Sequence, residues 1–279
     1  MSFFAALQFL TIIPTPVSFD EGLSNPTRVA VPSSAPIPAY EWAAQVGRAI
    51  TYFPVVGFII GIILALLYYM LRSVLPFQVV SILIVAALAI ITGAHHLDGL
   101  IDTFDGMAAG KTREERLAIM SDTRVGAFGI TAVCLLLLIK YAALSAALTP
   151  SLLITFPVIS RWALTGAMLI FPPAKTSGAG FAVKSNAGWP GYAVATLIAL
   201  LISVLLNGLV TGTVLIACLL VLVCCSGLIF SRLYGGLTGD SYGALVEIGE
   251  VLALLLCIVL SHLIPNIQGY NLLIINLPA

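Results

Sequence analysis

Long apolar runs separated by short polar segments dominate this chain. At roughly 20 apolar residues per bilayer crossing, the runs at 52–71, 78–97, 127–148, 151–171, 190–209, 211–233 and 242–264 each predict a transmembrane helix. The opening stretch SFFAALQFLTIIPTPV is apolar too, but it is short, ends in two prolines and lacks a basic leader or a small-residue cleavage site. It predicts an interfacial or re-entrant helix rather than a signal peptide. Residues 18–40, with Pro26, Pro32, Pro36, Pro38 and several Ser, predict an irregular exposed loop. The expected fold class is all-α, a polytopic helical integral membrane protein with about seven transmembrane helices plus the N-terminal helix. The whole of 1–279 reads as a single membrane domain.

Composition agrees and excludes a soluble class. The chain is 60% hydrophobic and 9% charged, with a mean hydropathy of +1.11, against about 25% charged residues in an ordinary soluble domain. Cys134, Cys218, Cys224, Cys225 and Cys257 all fall inside apolar runs without metal-type spacing, which makes them packing residues rather than a disulfide framework. A formal net charge of +0 gives no argument for a nucleic-acid partner. No internal repeat with a clear period is visible.

Charge placement predicts orientation. Arg28, Arg48, Lys111, Arg113, Arg116, Arg124, Lys175, Lys184 and Arg232 fall in or beside segments that must share one side, whereas Arg72 alone falls on the other. The positive-inside rule then puts the N-terminus and every charged loop in the cytoplasm and the C-terminus outside. Two cations remain within predicted spans. Lys140 either snorkels to an interface or lies at membrane depth, and Arg161 is expected to pair inside the bundle with a carboxylate or an anionic ligand.

The acidic residues carry the candidate chemistry. At about 100° per residue, Asp98, Asp102 and Asp105 lie within about 60° of one another on a helix, so they share one narrow face. Like charges at that spacing destabilise a helix, and a divalent cation reverses the sign. Carboxylate oxygens suit Mg²⁺ or Mn²⁺, and Mg²⁺ leaves positions for substrate phosphates. A second group occurs in GGLTGDSYGALVEIGE, where Asp240 and Glu247 fall within about 20° on one helix face and Glu250 lies further round. No acidic residue occurs between 123 and 239. Carboxylates facing Arg and Lys are the inventory of phosphate chemistry. No Ser/His/Asp or Cys/His nucleophile constellation is apparent.

The stretches YFPVVGFIIG (52–61), TGAHHLDGLIDTFDGMAAG (92–110), RLAIMSDTRVGAFG (116–129) and GLTGDSYGALVEIGE (236–250) resemble the cobalamin synthases, or adenosylcobinamide-GDP ribazoletransferases. The resemblance implies a Mg²⁺-dependent enzyme of the bacterial inner membrane. It would join adenosylcobinamide-GDP to α-ribazole, or to its 5′-phosphate, with release of GMP. By position, the family's metal-binding aspartates fall on Asp98, Asp102 and Asp105, joined by Asp240 and Glu247, and its catalytic candidates on His96, Asp122 and Glu250. Lys111, Arg116, Arg124, Arg161 and Arg232 are the candidate phosphate-binding cations. A homo-oligomer, or association with other enzymes of cobalamin assembly, is a further expectation. The chain departs from the family where Ala94 and His95 replace the usual Gly and bulky apolar residue. Helix geometry puts His95, about 60° from Asp98, nearer the acidic face than His96, about 160° away, whereas the family points to His96.

Three rivals share parts of this pattern. A CDP-alcohol phosphotransferase or UbiA-like prenyltransferase also places aspartates over Mg²⁺, but the Ala-Arg expected after Asp98-Gly99 is missing. An ion-coupled transporter would place its carboxylates near the bilayer midplane. A non-catalytic corrinoid-binding subunit would not need an acidic stripe.

Overall fold

A computed structural model describes residues 2–16, 39–175 and 179–263. Among these residues the regular structure is helical: α1 (Ser2–Leu10), α2 (Ala39–Arg48), α3 (Phe53–Leu71), α4 (Phe77–Ile91), α5 (His95–Ala109), α6 (Arg113–Ile119), α7 (Ala127–Ala146), α8 (Pro150–Ile170), α9 (Ala179–Asn186), α10 (Trp189–Asn207), α11 (Leu209–Tyr234) and α12 (Gly239–Leu263). Six are long and apolar enough to cross a membrane: α3 with the 3₁₀ turn before it, α7, α8, α10, α11 and α12. Each coincides with a predicted run. The 18–40 loop lies outside the described residues as far as 38, and Arg28 with it.

The predicted span at 78–97 is not one helix. α4 stops at Ile91, and α4 and α5 pass the length and hydropathy test only as a pair bent by 87°. Gly93 and Ala94 take positive φ values of 64° and 56°, which turn the chain between the two helices. Thr92 finishes α4 by donating from its hydroxyl to Leu88 O at 3.0 Å. A left-handed conformation costs an L-residue roughly 1–2 kcal/mol and costs glycine almost nothing. This is a physical reason for glycine where the chain carries Ala94.

α8 is the central helix. Leu152 through Leu169 are all buried, and α3, α12, α10 and α11 surround it. Its Thr155, Ser160, Arg161 and Thr165 face protein instead of lipid, as intramembrane polar groups must. α3 and α8 pack backbone against backbone, because a Cβ at Gly57 would strike the backbone carbonyl of Pro157. Small residues permit such approach where no hydrophobic effect drives helices together. Outward-facing leucines, including Leu138, Leu197, Leu201 and Leu205, remain exposed, the inversion expected of a surface solvated by acyl chains.

Polar elements gather at one end. α1 is too short to cross and buries Ala5, Ala6, Leu7 and Leu10, with Ile12 N donating to Ile91 O at 2.9 Å. α2 packs on α9, where Arg48 Nη1 donates to Asn186 Oδ1 at 3.3 Å. The same end holds α5, α6 and the segments 172–175 and 235–238, whose backbones meet through Ala174 N to Leu237 O at 2.8 Å and Leu237 N to Pro172 O at 2.9 Å.

Replacing Ala94 with Gly should relieve the turn. The expected gain of about 1 kcal/mol raises the midpoint of thermal unfolding in detergent by about 2–4 °C. An unchanged or lower midpoint would show that residue 94 carries no strain.

Candidate active site

α5 carries its aspartates across the end of the bundle, and α12 begins beside them. The two helices touch at Gly99, where a Cβ would lie 2.7 Å from Asp240 O, so any larger residue would push them apart. A second small residue, Gly243, lies against His96, 3.1 Å from its Cα by the same construction. This crossing brings Asp98, Asp102 and Asp240 within electrostatic reach of one another. Asp98 is exposed, while Asp102 and Asp240 are half-buried. α5 lies outside the six crossing helices, and there burial, then Asp240, Asp98 and Asp105, push the Asp102 carboxyl up to about 7. Among the described residues no three His, Cys, Asp or Glu side chains converge on one point as a metal shell.

Asp105 has partners of its own. It is buried, and its oxygens accept from Gly126 N at 2.7 Å and Gly129 N at 2.8 Å. These are amides at the start of α7, which a helix otherwise leaves unpaired. The side chain ties α5 to α7.

Glu247 and Glu250 also depart from the expected arrangement. They do not face Asp98 and Asp102 but lie inside the bundle with Lys140 and Arg161. Lys140 Nζ donates to Glu247 Oε2 at 2.5 Å and to Glu250 Oε2, and Arg161 Nη1 donates to Glu250 Oε1 and to Ser160 Oγ. All four charged side chains are at most 4% exposed. Two cations and two anions from α7, α8 and α12 balance, which is how charge survives in a low-dielectric interior. Arg161 thus has a carboxylate partner rather than a substrate phosphate, and Lys140 lies at depth instead of snorkelling.

The break before α5 sorts the two histidines. His95 is exposed, whereas His96 is buried against α12 with no partner for Nδ1.

The remaining cations divide in the same way. Asp122 and Arg124 pair with each other at 2.6 Å on the surface, and the Arg124 side chain, then its backbone N–H, hold the Asp122 carboxyl at about 2. A group held that low accepts protons poorly. Arg116, half-buried, reaches Leu233 O at 3.5 Å, with Nε unpartnered. It lies near Tyr234, whose hydroxyl donates to Thr103 O at 2.7 Å. Lys111 and Arg232 are exposed. Arg113, which the sequence did not single out, donates from Nη2 to Ala174 O at 2.6 Å. Lys175 lies within electrostatic reach of Asp240. A cavity of about 230 Å³ opens here, with Leu117, Met120, Lys175, Phe181, Leu237 and Asp240 in its lining.

The family model described as cobalamin-5-phosphate synthase matches residues 2–258. The chain belongs to the cobalamin-5-phosphate synthase family. An adenosylcobinamide-GDP ribazoletransferase of Geotalea daltonii is 37% identical over 258 residues, covering 91% of this chain and 95% of that protein. One of Roseiflexus sp. is 36% identical over 89% of this chain and 86% of its own length, and one of Desulfitobacterium hafniense 34% identical over 82% and 91%. No solved structure matches. In this chain the stretch 92–110 is the break and α5, and 236–250 is the cap and first turns of α12.

Charge balance in the buried cluster can be measured. Lys140→Met, which leaves two carboxylates facing one guanidinium, should cost about 3–5 kcal/mol. Adding Glu247→Gln restores neutrality and should recover roughly half of that loss, read as thermal unfolding in detergent. A double variant less stable than the single one rules balance out as the explanation.

Proposed function

We propose that this chain transfers a phosphorylated cobinamide group from adenosylcobinamide-GDP to α-ribazole or its 5′-phosphate and releases GMP. The observation that carries this reading is the match to cobalamin-5-phosphate synthases along 2–258, with the carboxylates at the α5–α12 crossing as its chemical centre.

The donor set at that crossing suits a hard divalent cation. Mg²⁺ asks for only one or two protein carboxylates, and Asp98, Asp102 and Asp240 supply three within reach of each other. We assign Mg²⁺, or Mn²⁺, to Asp102 and Asp240, which leaves Asp98 free of the ion. Asp105 and Glu247 have other partners. When bound, the ion neutralises charge on the pyrophosphate and on the departing phosphate.

The chain's own groups do the rest. Arg116 and Lys111 border the same end of the bundle and hold the donor phosphates as charge shifts to the leaving group. The ribazole 3′-hydroxyl attacks the phosphorus nearer the cobinamide, and the bond from that phosphorus to the bridging oxygen breaks. GMP leaves with the bridging oxygen. The hydroxyl proton passes to Asp98, the exposed carboxylate of the group. The buried ion cluster holds α7, α8 and α12 in register around this end.

Nine cations against Arg72 support a cytoplasmic site with the C-terminus outside, in the inner membrane of a bacterium.

In membranes containing the protein, Asp102→Asn should lower GMP release from adenosylcobinamide-GDP and α-ribazole by about 100-fold or more at saturating Mg²⁺. Near-normal turnover in that variant would remove Asp102 from the metal assignment. A Lys111→Cys protein should resist impermeant maleimide added to intact cells and react once the cells are opened; ready labelling from outside would invert the topology.

A further inference from the structure

The cavity between α6, the 172–175 segment, α9 and the start of α12 shares Asp240 with the reading above, which gives the rest of its lining no role. Its volume of about 230 Å³ falls below the roughly 300–1,000 Å³ that encloses a drug-sized ligand. The cavity is too small to enclose a corrinoid, and a single bicyclic base fits the scale. Met120 and Leu237 form buried apolar walls, and Leu117 adds a third apolar side chain. Phe181 is 37% exposed at the rim, which leaves its ring face available for stacking on an aromatic base.

Polarity distinguishes the two bases that the proposed reaction offers. Guanine carries donors and acceptors along its edges, and burying them without partners is costly. The lining hydroxyls already have partners, Ser121 donating to Leu117 O at 2.7 Å and Thr238 accepting from Ser241 N at 3.1 Å, and no Asn, Gln or Arg stands among the described lining residues to meet the guanine edges. Asp240 is the one carboxylate in the described lining, and it lies within electrostatic reach of Asp98 and Asp102. The benzimidazole base of α-ribazole has a single free ring nitrogen and two methyl groups, which match apolar walls. Lys175 is exposed and is the one cation in the described lining. An ammonium group there suits a phosphate carried on the 5′ position of the same nucleoside. Asp240 joins the cavity to the carboxylate group, so a ribose leaving the cavity emerges beside the site of displacement.

We infer that this cavity seats the acceptor, a nucleoside with an apolar bicyclic base, between Phe181, Leu117 and Met120, with Lys175 taking its 5′-phosphate. The inference rests on the functional reading given above and adds the acceptor's place within it.

The test separates the two. Purified protein in detergent is titrated with α-ribazole 5′-phosphate by calorimetry, and GMP release is measured with each substrate varied in turn. Leu117→Trp, which fills the cavity, and Phe181→Ala, at its exposed rim, should each raise the KM for the acceptor at least about 10-fold while changing the KM for adenosylcobinamide-GDP much less. Lys175→Met should lower the ratio of kcat/KM for α-ribazole 5′-phosphate over α-ribazole by about 10-fold. If the first two variants weaken the guanosine donor instead, or neither substrate, the acceptor assignment is overturned. If the unaltered protein releases no GMP, the functional reading fails. Calorimetric binding that both Leu117→Trp and Phe181→Ala weaken would still support the cavity assignment.

Discussion

A charge inside a bilayer must meet its opposite or leave. That constraint organises this bundle. Lys140 on α7, Arg161 on α8, and Glu247 and Glu250 on α12 come from three separate helices and neutralise one another at almost complete burial. None of these helices can slide or rotate without separating a pair. Because α12 is held in this way, its first turn has a set position at the end of the bundle. Asp240 stands there, and α5 crosses above it.

The crossing depends on what is missing as much as on what is present. Gly99 and Gly243 let backbone approach backbone, so carboxylates from two helices come within reach although 138 residues separate Asp102 from Asp240 in the chain. Asp105 then anchors the far part of α5 to the amides of α7. Of three aspartates that share a helical face, one therefore binds backbone amides, and the proposed reaction draws on the other two. The α12 acids divide likewise, with Asp240 beside α5 and Glu247 and Glu250 in the core.

Six of the crossing helices were legible in the sequence because an unbroken apolar run of bilayer length has few other uses. The seventh run is present as a bent pair of helices instead of one straight span. Thr92, Gly93 and Ala94 interrupt it without a proline or a charge, and two left-handed residues bend a chain that hydropathy reads as continuous. The shared face of Asp98, Asp102 and Asp105 follows from spacing alone. Partner choice does not follow from spacing. Lys140 meets Glu247 from 107 residues away, and the Gly126 and Gly129 amides that occupy Asp105 are backbone groups, which leave no mark in composition. The cavity beside α6 was invisible for the same reason, since Pro172 to Lys175 and Leu237 meet through main-chain hydrogen bonds.

The bend of 87° between α4 and α5 also decides depth. Had α5 continued the axis of α4, the stretch from Asp98 to Asp105 would have run about 10 Å further out from the end of the bundle at 1.5 Å per residue, and its carboxylates would have stood at successive distances from the membrane surface. Laid across the end of the bundle, the helix keeps its acids at one level. In the proposed reaction these carboxylates act as a shelf across the end of the bundle, open to a polar nucleotide from the aqueous side.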